Sequence, residues 1–417
     1  MKNNPFTPNN PVYTGMFTGR NEEIKRINAL LHQTKEGNPS NIMIIGERGI
    51  GKTSLLLFAK FLANGDITLD GKFNFISIFI PIKQDTKIID LLDMINHQIN
   101  RSFSHDEKAL TFMKKTWDFI SKFQIGGVSY KKENEGKDDS DEKMIHEGMY
   151  SIVDTIKAIT EDNNATEIGL KEKKDGIVLF IDEVDNSSDN LKLGAFLKIL
   201  SEILIFEKAN KMLFIMSGLP KTRDVLKNSH ESSLRLFEEF KLSTLSEDEV
   251  KIVINKGIAE ANSKGANIKI AEDALKEMCQ HSEGYPHFVQ QIGYSVFESN
   301  TDDIIDKDDA IEGIFKQGGA IEKIGDRYYR DMYYNQIKEE SYRQILNIMS
   351  DKSNDWISKK EIREKFKHKT SALNNGLKAL KDRNIILSKP GCIGYYRLQW
   401  TGFAIWIKIF SKNAPST

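Results

Sequence analysis

The nine residues GERGIGKTS, at 46–54, constrain this chain more than any other segment. They follow a short apolar run, NIMIIG, and lead into a helical pattern, TSLLLFAKFLA. Glycines at these positions let backbone amides close around an anion, and the start of a helix adds a favourable dipole. The spacing of the glycines, the lysine and the threonine is that of a phosphate-binding loop. The segment therefore predicts that the chain binds ATP.

Each part of this loop has an expected role. Lys52 would bridge the β- and γ-phosphates of ATP, and Thr53 would hold a Mg²⁺ ion. The backbone of the whole segment would surround the phosphates. The predicted nucleotide-binding residues of the loop are Gly46, Glu47, Arg48, Gly49, Ile50, Gly51, Lys52, Thr53 and Ser54.

A second segment, IVLFIDEVD at 177–185, supplies two adjacent carboxylates at the end of an apolar strand. In a parallel sheet that strand would bring Asp182 to the same edge as the phosphate-binding loop, where it can bind Mg²⁺ through water. Glu183 can then orient and activate the attacking water. Together the two residues predict a protein that hydrolyses ATP and does not merely sense it.

Apolar runs that alternate with helical patterns predict the sheet itself. FNFISIFIPI, GIVLFID and KMLFIMS have, like NIMIIG, the length and the β-branched and aromatic residues of buried strands. Helical patterns separate them, and this alternation is typical of a parallel sheet covered on both faces. The predicted fold class is therefore an α/β P-loop NTPase.

Three regions are predicted along the chain. Residues 1–245 form the ATPase core, with an insertion at about 125–175 that holds a hairpin arm (IGGVSYKKE), a flexible charged run and a helix from about Met144 to Ile159. Residues 246–320 form a helical lid, in which Ser or Asp occupies two of the expected helix caps. Residues 339–410 have the order of a winged helix, three helices followed by a two-stranded wing.

The composition excludes several classes of protein. The net charge is −1, so a nucleic-acid partner would have to be bound by a local patch. Cys279 and Cys392 lie far apart and are expected to be reduced, as in a cytosolic protein. The N-terminus lacks the apolar core of a signal peptide, and no run approaches the roughly 20 apolar residues of a membrane helix. We expect a cytoplasmic protein without membrane contact.

One local patch is basic. Residues 356–383 contain nine lysines and arginines, which only Glu361, Glu364 and Asp382 oppose. Such an excess in a near-neutral protein is the electrostatic footprint of phosphate contact, and it predicts duplex DNA as a partner. The expected contacts are on and beside the helix TSALNNGLKALK, whose polar residues can reach phosphates or base edges. They are Lys369, Ser371, Asn374, Asn375, Lys378 and Lys381.

Four segments in order, FTGRNEEIKRI, GERGIGKTS, LFIDEVD and LFIMSGLP, resemble the AAA+ ATPases. The similarity is greatest to the branch of origin-recognition-type initiators, archaeal ATPases and related bacterial ATPases. It covers about residues 5–300 and extends to the winged helix. The resemblance implies that Arg20 helps to form the adenine pocket with Val12 nearby, and that Ser217 has the sensor-1 position at the end of the fourth strand.

The resemblance also implies that the protein forms homo-oligomers. Arg235 precedes the fifth strand, where the family places the arginine that touches a neighbouring subunit's γ-phosphate. A plain surface arginine and a strand-end serine are the alternatives for Arg235 and Ser217. The segment GYPHFVQQIG, at 284–293, departs from the family because Pro286 and His287 replace its sensor-2 arginine.

Two functions fit this pattern. In the first, an ATP-hydrolysing protein uses its nucleotide state to control assembly on DNA, or action at DNA, through the winged helix. In the second, a signalling switch exchanges ATP for ADP and releases the winged helix to a protein partner. The basic winged helix favours the first, whereas the unusual lid and the insertion at 125–175, where a protein partner could bind, leave room for the second.

Overall fold

The computed structural model describes residues 3–12, 16–120, 137–352 and 355–411, with the side chains of 137–141 left aside. The chain divides into two compact units. One unit is Arg20–Ser243. The other joins the N-terminal segment Met1–Gly19 to Thr244–Thr417.

The unit Arg20–Ser243 contains a five-stranded sheet in the order β2–β3–β4–β1–β5, and every strand pair is parallel. Its strands are β1 (Asn41–Ile45), β2 (Ile76–Pro81), β3 (Ile177–Asp182), β4 (Met212–Gly218) and β5 (Phe237–Lys241). All residues of β1, β3 and β4 are buried, so both faces of the sheet are covered. The parallel P-loop NTPase sheet predicted from the apolar runs is confirmed.

Helices cover this sheet and are connected to it by short loops. They are α1 (Asn21–Lys35), α2 (Lys52–Asn64), α3 (Ile88–Ser102), α4 (Glu107–Thr116), α5 (Lys137–Thr160), α6 (Asp162–Glu167), α7 (Leu193–Phe206) and α8 (Thr222–Ser229). Helix α5 begins at Lys137 and not at about Met144, so the end of the charged run is helical. The hairpin arm predicted for IGGVSYKKE lies outside the described residues.

The second unit begins with helices that correspond to the expected lid. They are α9 (Glu247–Ser263), α10 (Glu272–Ser282), α11 (Pro286–Ser299), α12 (Lys307–Phe315) and α13 (Ala320–Tyr328), with a two-stranded parallel sheet of β6 (Lys269–Ile270) and β7 (Ile304–Ile305). The N-terminal segment packs here, although the sequence grouped it with the ATPase core. The reason is Phe6, whose buried ring fits so closely that a Cβ on Gly257 or Gly293 would lie 2.6 or 2.5 Å from it.

The same unit ends in a C-terminal module, which we define as residues 340–410. It comprises α14 (Glu340–Ser350), β8 (Ile357–Ser358), α15 (Lys359–Lys365), α16 (Thr370–Asp382), β9 (Ile386–Ser388), β10 (Tyr395–Leu398) and α17 (Thr401–Phe410). The three strands form an antiparallel sheet in the order β8–β10–β9. The sequence did not indicate β8, because two paired residues are too few to show a periodic pattern.

The lid helices and the C-terminal module share one buried core. The carboxylate of Glu283, after α10, accepts a hydrogen bond of 2.7 Å from the amide of Gly402 at the start of α17. A Cβ on Gly325, in α13, would lie 1.9 Å from the buried indole of Trp406 in α17. Contacts this close leave no layer of water between the two parts.

Within the described ranges, every helix is either too short or too polar to span a lipid bilayer.

Candidate nucleotide-binding site

The loop between β1 and α2 has the backbone that a phosphate-binding loop requires. Gly49 and Gly51 have φ values of 79° and 94°, a left-handed conformation that costs glycine little. The ammonium of Lys52 turns back across the loop and donates hydrogen bonds of 2.9 Å to the carbonyls of Gly46 and Glu47. Burial lowers the pKa of Lys52, and the carboxylates of Asp185 and Asp182 oppose that shift. The loop therefore holds the Lys52 ammonium in place next to a backbone whose conformation suits the binding of an anion.

The carboxylate of Asp182, at the end of β3, connects three elements. One of its oxygens accepts a hydrogen bond of 2.7 Å from the hydroxyl of Thr53, the second residue of α2. The other accepts a bond from the hydroxyl of Ser217 near the end of β4, and one of 2.9 Å from the amide of Glu183. Asp182 is only 5% exposed. The structure thus brings Thr53, Asp182 and Ser217 together as the parallel sheet predicts.

Glu183 stands at the start of a short 3₁₀ turn, Val184–Asn186, with its side chain exposed. Its φ of 57° and ψ of 37° are left-handed, which is uncommon for a residue other than glycine and occurs at functional sites. The side-chain amide of Asn186 donates a hydrogen bond of 3.2 Å to the Glu183 carboxylate. Asn186 was not among the predicted site residues, and only its position within the turn after β3 could have pointed to it.

Asp185 is a second residue that the sequence reasoning missed. Its carboxylate accepts a hydrogen bond of 3.0 Å from the amide of Leu219, just after β4. Its other oxygen lies 3.8 Å from the ammonium of Lys221. Asp185 is the third acidic residue of IVLFIDEVD, and this was the signal available in the sequence.

Comparisons with known proteins agree with this geometry. Residues 16–205 match the family model described as AAA ATPase domain. This part of the chain is an AAA ATPase domain. The match begins four residues before Arg20 and includes the phosphate-binding loop, Asp182 and Glu183. No curated protein matches the chain.

Two solved structures share the fold of this chain over nearly its whole length. A Walker-type ATPase of Pyrococcus abyssi is 15% identical with a TM-score of 0.55, covering 96% of this chain and 99% of that one. The ORC2 protein of Aeropyrum pernix, solved in ADPNP–ADP complexes, is 12% identical with a TM-score of 0.57, covering 98% of each chain. The chain therefore has the fold of these two proteins.

The family resemblance places both Arg20 and Val12 at the adenine, but in the structure the two residues belong to different units. The buried guanidinium of Arg20 donates hydrogen bonds to the carbonyls of Ile50, at 3.2 Å, and Ser243, at 2.6 Å. Arg20 therefore ties the backbone of the phosphate-binding loop to the segment after β5. Val12 belongs to the other unit and packs, half-buried, against that unit's own core.

Arg235 lies in a 3₁₀ segment, Glu231–Leu236, directly before β5. Its side chain is exposed and makes neither an ion pair nor a hydrogen bond with any residue that the structure describes. A guanidinium in this state is available to a ligand of another molecule.

The helices of the second unit bring an arginine next to His287, which the sequence places where the family has its sensor-2 arginine. The guanidinium of Arg327, in α13, lies 3.0 Å from the ring nitrogen of His287 in α11, and it also bonds the side chain of Asn9. Burial and then the charge of Arg327 lower the pKa of His287 to about 4. His287 is therefore neutral near pH 7 and packs as a polar partner of Arg327.

The basic residues of the C-terminal module fall into two groups. Arg363, Lys365 and Arg383 are engaged with a carbonyl or a carboxylate of the same unit. In contrast, several exposed lysines form no side-chain hydrogen bond or ion pair with the described part of the chain. These are Lys360, Lys367, Lys369, Lys378 and Lys381. Ser371, Asn374 and Asn375 are exposed on the same helix, α16, as Lys378.

Proposed function

We propose that this AAA+ ATPase binds duplex DNA through its C-terminal module and that the state of its nucleotide controls assembly on, or action at, that DNA. The observation that carries the proposal is the set of exposed lysines on and beside α16 whose ammonium groups have no partner among the described residues. Ammonium groups that no carboxylate neutralises are free to replace the counterions of a phosphate backbone.

The nucleotide site would work as follows. Lys52 neutralises the charge of the β- and γ-phosphates, which the amides of residues 46–54 surround. The hydroxyl of Thr53 and the carboxylate of Asp182 converge within 2.7 Å, and such hard oxygen donors suit Mg²⁺. These two residues would hold the ion, which supplies positive charge next to the phosphates. Mg²⁺ commonly uses one or two protein oxygens together with phosphate and water, so this pair suffices.

Glu183 would act as the base of the reaction. Its carboxylate is exposed beside Asp182 and can accept a hydrogen bond from water, and the amide of Asn186 orients it. Ser217 has no exposed surface, and its hydroxyl is used by Asp182. We therefore assign Ser217 the task of fixing the Asp182 carboxylate and not that of touching the phosphate.

Arg235 would serve a second copy of the chain. An arginine that approaches the γ-phosphate of a neighbouring subunit stabilises the charge of the transition state. The guanidinium of Arg235 is exposed and has no partner in the described part of the chain, which supports this role and implies a homo-oligomer whose sites are complete only between subunits.

The C-terminal module would be a winged helix. Its order of helix, strand, helix, helix and two further strands, α14 to β10, supports that assignment. Helix α16 would be the recognition helix, with phosphates contacted by Lys369, Lys378 and Lys381 and base edges or phosphates by Ser371, Asn374 and Asn375. Because these lysines, together with the exposed Lys360 and Lys367, outnumber the three polar residues, most of the affinity should be electrostatic.

The alternative, a switch that releases its winged helix to a protein partner, has less support. The module shares a buried core with the lid helices, through Glu283 with Gly402 and through Gly325 with Trp406. Its release would expose those apolar surfaces to water, at a cost of about 25 cal/mol for each Å².

The test is the affinity of the full-length protein for a labelled DNA duplex, measured by fluorescence anisotropy with ATP or ADP over a range of salt concentrations. We expect the logarithm of the association constant to fall linearly with the logarithm of the salt concentration, by about 0.9 for each phosphate neutralised. If no binding is found at low salt with either nucleotide, the protein-partner switch becomes the better account.

A further inference from the structure

The carboxylate of Asp185 joins two loops of the nucleotide site, and none of the roles assigned above uses it. It lies in the 3₁₀ turn after β3 and accepts a hydrogen bond of 3.0 Å from the amide of Leu219, after β4. Its side chain is 10% exposed, so water competes little for that bond. Because the two loops are 34 residues apart in sequence, no local turn accounts for the contact.

This bond closes a ring around Glu183. Ser217, near the end of β4, donates to Asp182, and Asp182 accepts the amide of Glu183. Leu219, two residues after Ser217, donates to Asp185, two residues after Glu183. The backbone at Glu183 is thus held before the residue by the bond from its amide to Asp182, and after it by the bond from Leu219 to Asp185.

The backbone of Glu183 requires such support. A left-handed conformation at a residue other than glycine is strained and persists only where the surroundings determine it. Val184 anchors the turn in the core by full burial, but a buried side chain alone does not fix the direction of the residue before it. Asp185 adds a directional bond at the neighbouring position.

The fit between the two loops is tight. A Cβ placed on Gly218 would lie 3.0 Å from the Asp185 carboxylate and 2.1 Å from the hydroxyl of Thr222. Thr222 is fully buried. The end of β4 at Gly218 therefore packs closely against both Asp185 and Thr222.

We propose that Asp185 is a positioning residue for ATP hydrolysis, and that its hydrogen bond to the Leu219 amide holds the turn that directs Glu183 at the attacking water. The proposal rests on the proposed role of Glu183 as the base. The bond to the amide performs this task, whereas the negative charge of Asp185 acts on the Lys52 ammonium and, at 3.8 Å, on Lys221.

The experiment compares Asp185→Asn, Asp185→Ala and Asp185→Ser with the control Asp189→Ala, an exposed aspartate in the next 3₁₀ turn, Asp189–Leu191. For each, kcat of ATP hydrolysis, the Kd of ATP and the melting temperature are measured. Asparagine retains an oxygen that can accept the Leu219 amide, whereas alanine has none and serine is too short to reach it. If Asp185→Ala does not fold, Asp185→Ser gives the same comparison.

We expect Asp185→Ala and Asp185→Ser to lower kcat by between about 10-fold and 10²-fold, as a small misplacement of a reacting group does, with the Kd of ATP nearly unchanged. Asp185→Asn and Asp189→Ala should retain most of kcat. The proposal is overturned if both truncations keep native kcat, if Asp185→Asn loses as much as they do, or if kcat and ATP affinity fall together with the melting temperature. Glu183→Gln is measured alongside, because native turnover in that variant would remove the proposed base and leave the measured effect of Asp185 intact.

Discussion

The two predicted binding regions differ in how their charges are arranged. At the edge of the parallel sheet, Lys52, Asp182 and Glu183 each have a partner within the site. On the C-terminal module, exposed lysines such as Lys378 and Lys381 have none among the described residues. The nucleotide site is a network of short hydrogen bonds, whereas the C-terminal module has exposed lysines with no partner among the described residues.

The arrangement of charge indicates which ligand each region can recognise. A preorganised network costs little to arrange at the moment of reaction, and it suits a small ligand whose charge changes during the chemistry. Free ammonium groups on a surface give affinity through counterion release, which depends on salt and little on sequence.

The largest effect is expected at Lys52. Lys52→Ala removes the cation that faces the phosphates, so the protein should lose measurable binding of a fluorescent ATP analogue. Lys60→Ala, further along the same helix, is the matched control and should bind normally. Native affinity in Lys52→Ala would show that the network is not the nucleotide site.

Glu183→Gln should separate binding from hydrolysis. The amide cannot accept a proton, so turnover should fall by on the order of 10²–10⁴-fold while ATP still binds. Glu202→Gln, an exposed glutamate on α7, should behave as the native protein. Steady-state ATPase rates and equilibrium binding measure the two quantities, and an unchanged rate would make Glu183 a surface carboxylate.

Substitution of Arg235 tests whether the nucleotide site of one subunit is completed by a residue of a second subunit. Arg235→Ala and Lys52→Ala should each be inactive, but their mixture should recover part of the activity, because one competent interface can form between the two variants. ATPase rates are measured across mixing ratios with the oligomeric state checked by light scattering. Absence of recovery, with oligomers present, would assign Arg235 to its own subunit.

The smallest effect is expected on the C-terminal module. Lys378→Ala with Lys381→Ala should reduce the salt slope of DNA affinity by about one to two units and weaken all sequences about equally. The matched control is Lys352→Ala with Lys365→Ala, whose ammonium groups are already paired with Glu361 and Asp351 and should contribute less. If the two double variants reduced the salt slope equally, lysines with and without an ion pair would contribute equally to DNA binding.

Much of the fold could be predicted because strands that are buried on both faces of a parallel sheet appear in the sequence as continuous apolar runs. The runs around Met43, Phe180 and Phe214 are apolar throughout, and all three are buried. The placement of Phe6 with the second unit could not be predicted, since it depends on the glycines at 257 and 293, far away in the chain. Strand β8 was missed for a different reason, because it is only two residues long.

The residues of the candidate site also fall into those that could be predicted from the sequence and those that could not. Lys52, Thr53 and Asp182 could be named because their spacing from the loop and the strand end fixes where they lie. Asp185 and Asn186 could not, because their roles follow from a 3₁₀ turn and from a partner after another strand. Arg20 was expected at the adenine, and the contacts of its guanidinium with backbone carbonyls are visible only in the folded chain.

The central claim is that the nucleotide state of one region controls DNA binding by the other. The most direct measurement is the DNA affinity of Glu183→Gln, which should retain ATP, with saturating ATP and then with ADP at one salt concentration. Coupled sites typically change each other's affinity by about 5-fold to 150-fold, and we expect a ratio of at least about five between the two nucleotides. Lys52→Ala should show no such ratio. Equal DNA affinity of Glu183→Gln in both nucleotides, with ATP binding verified, would contradict the account.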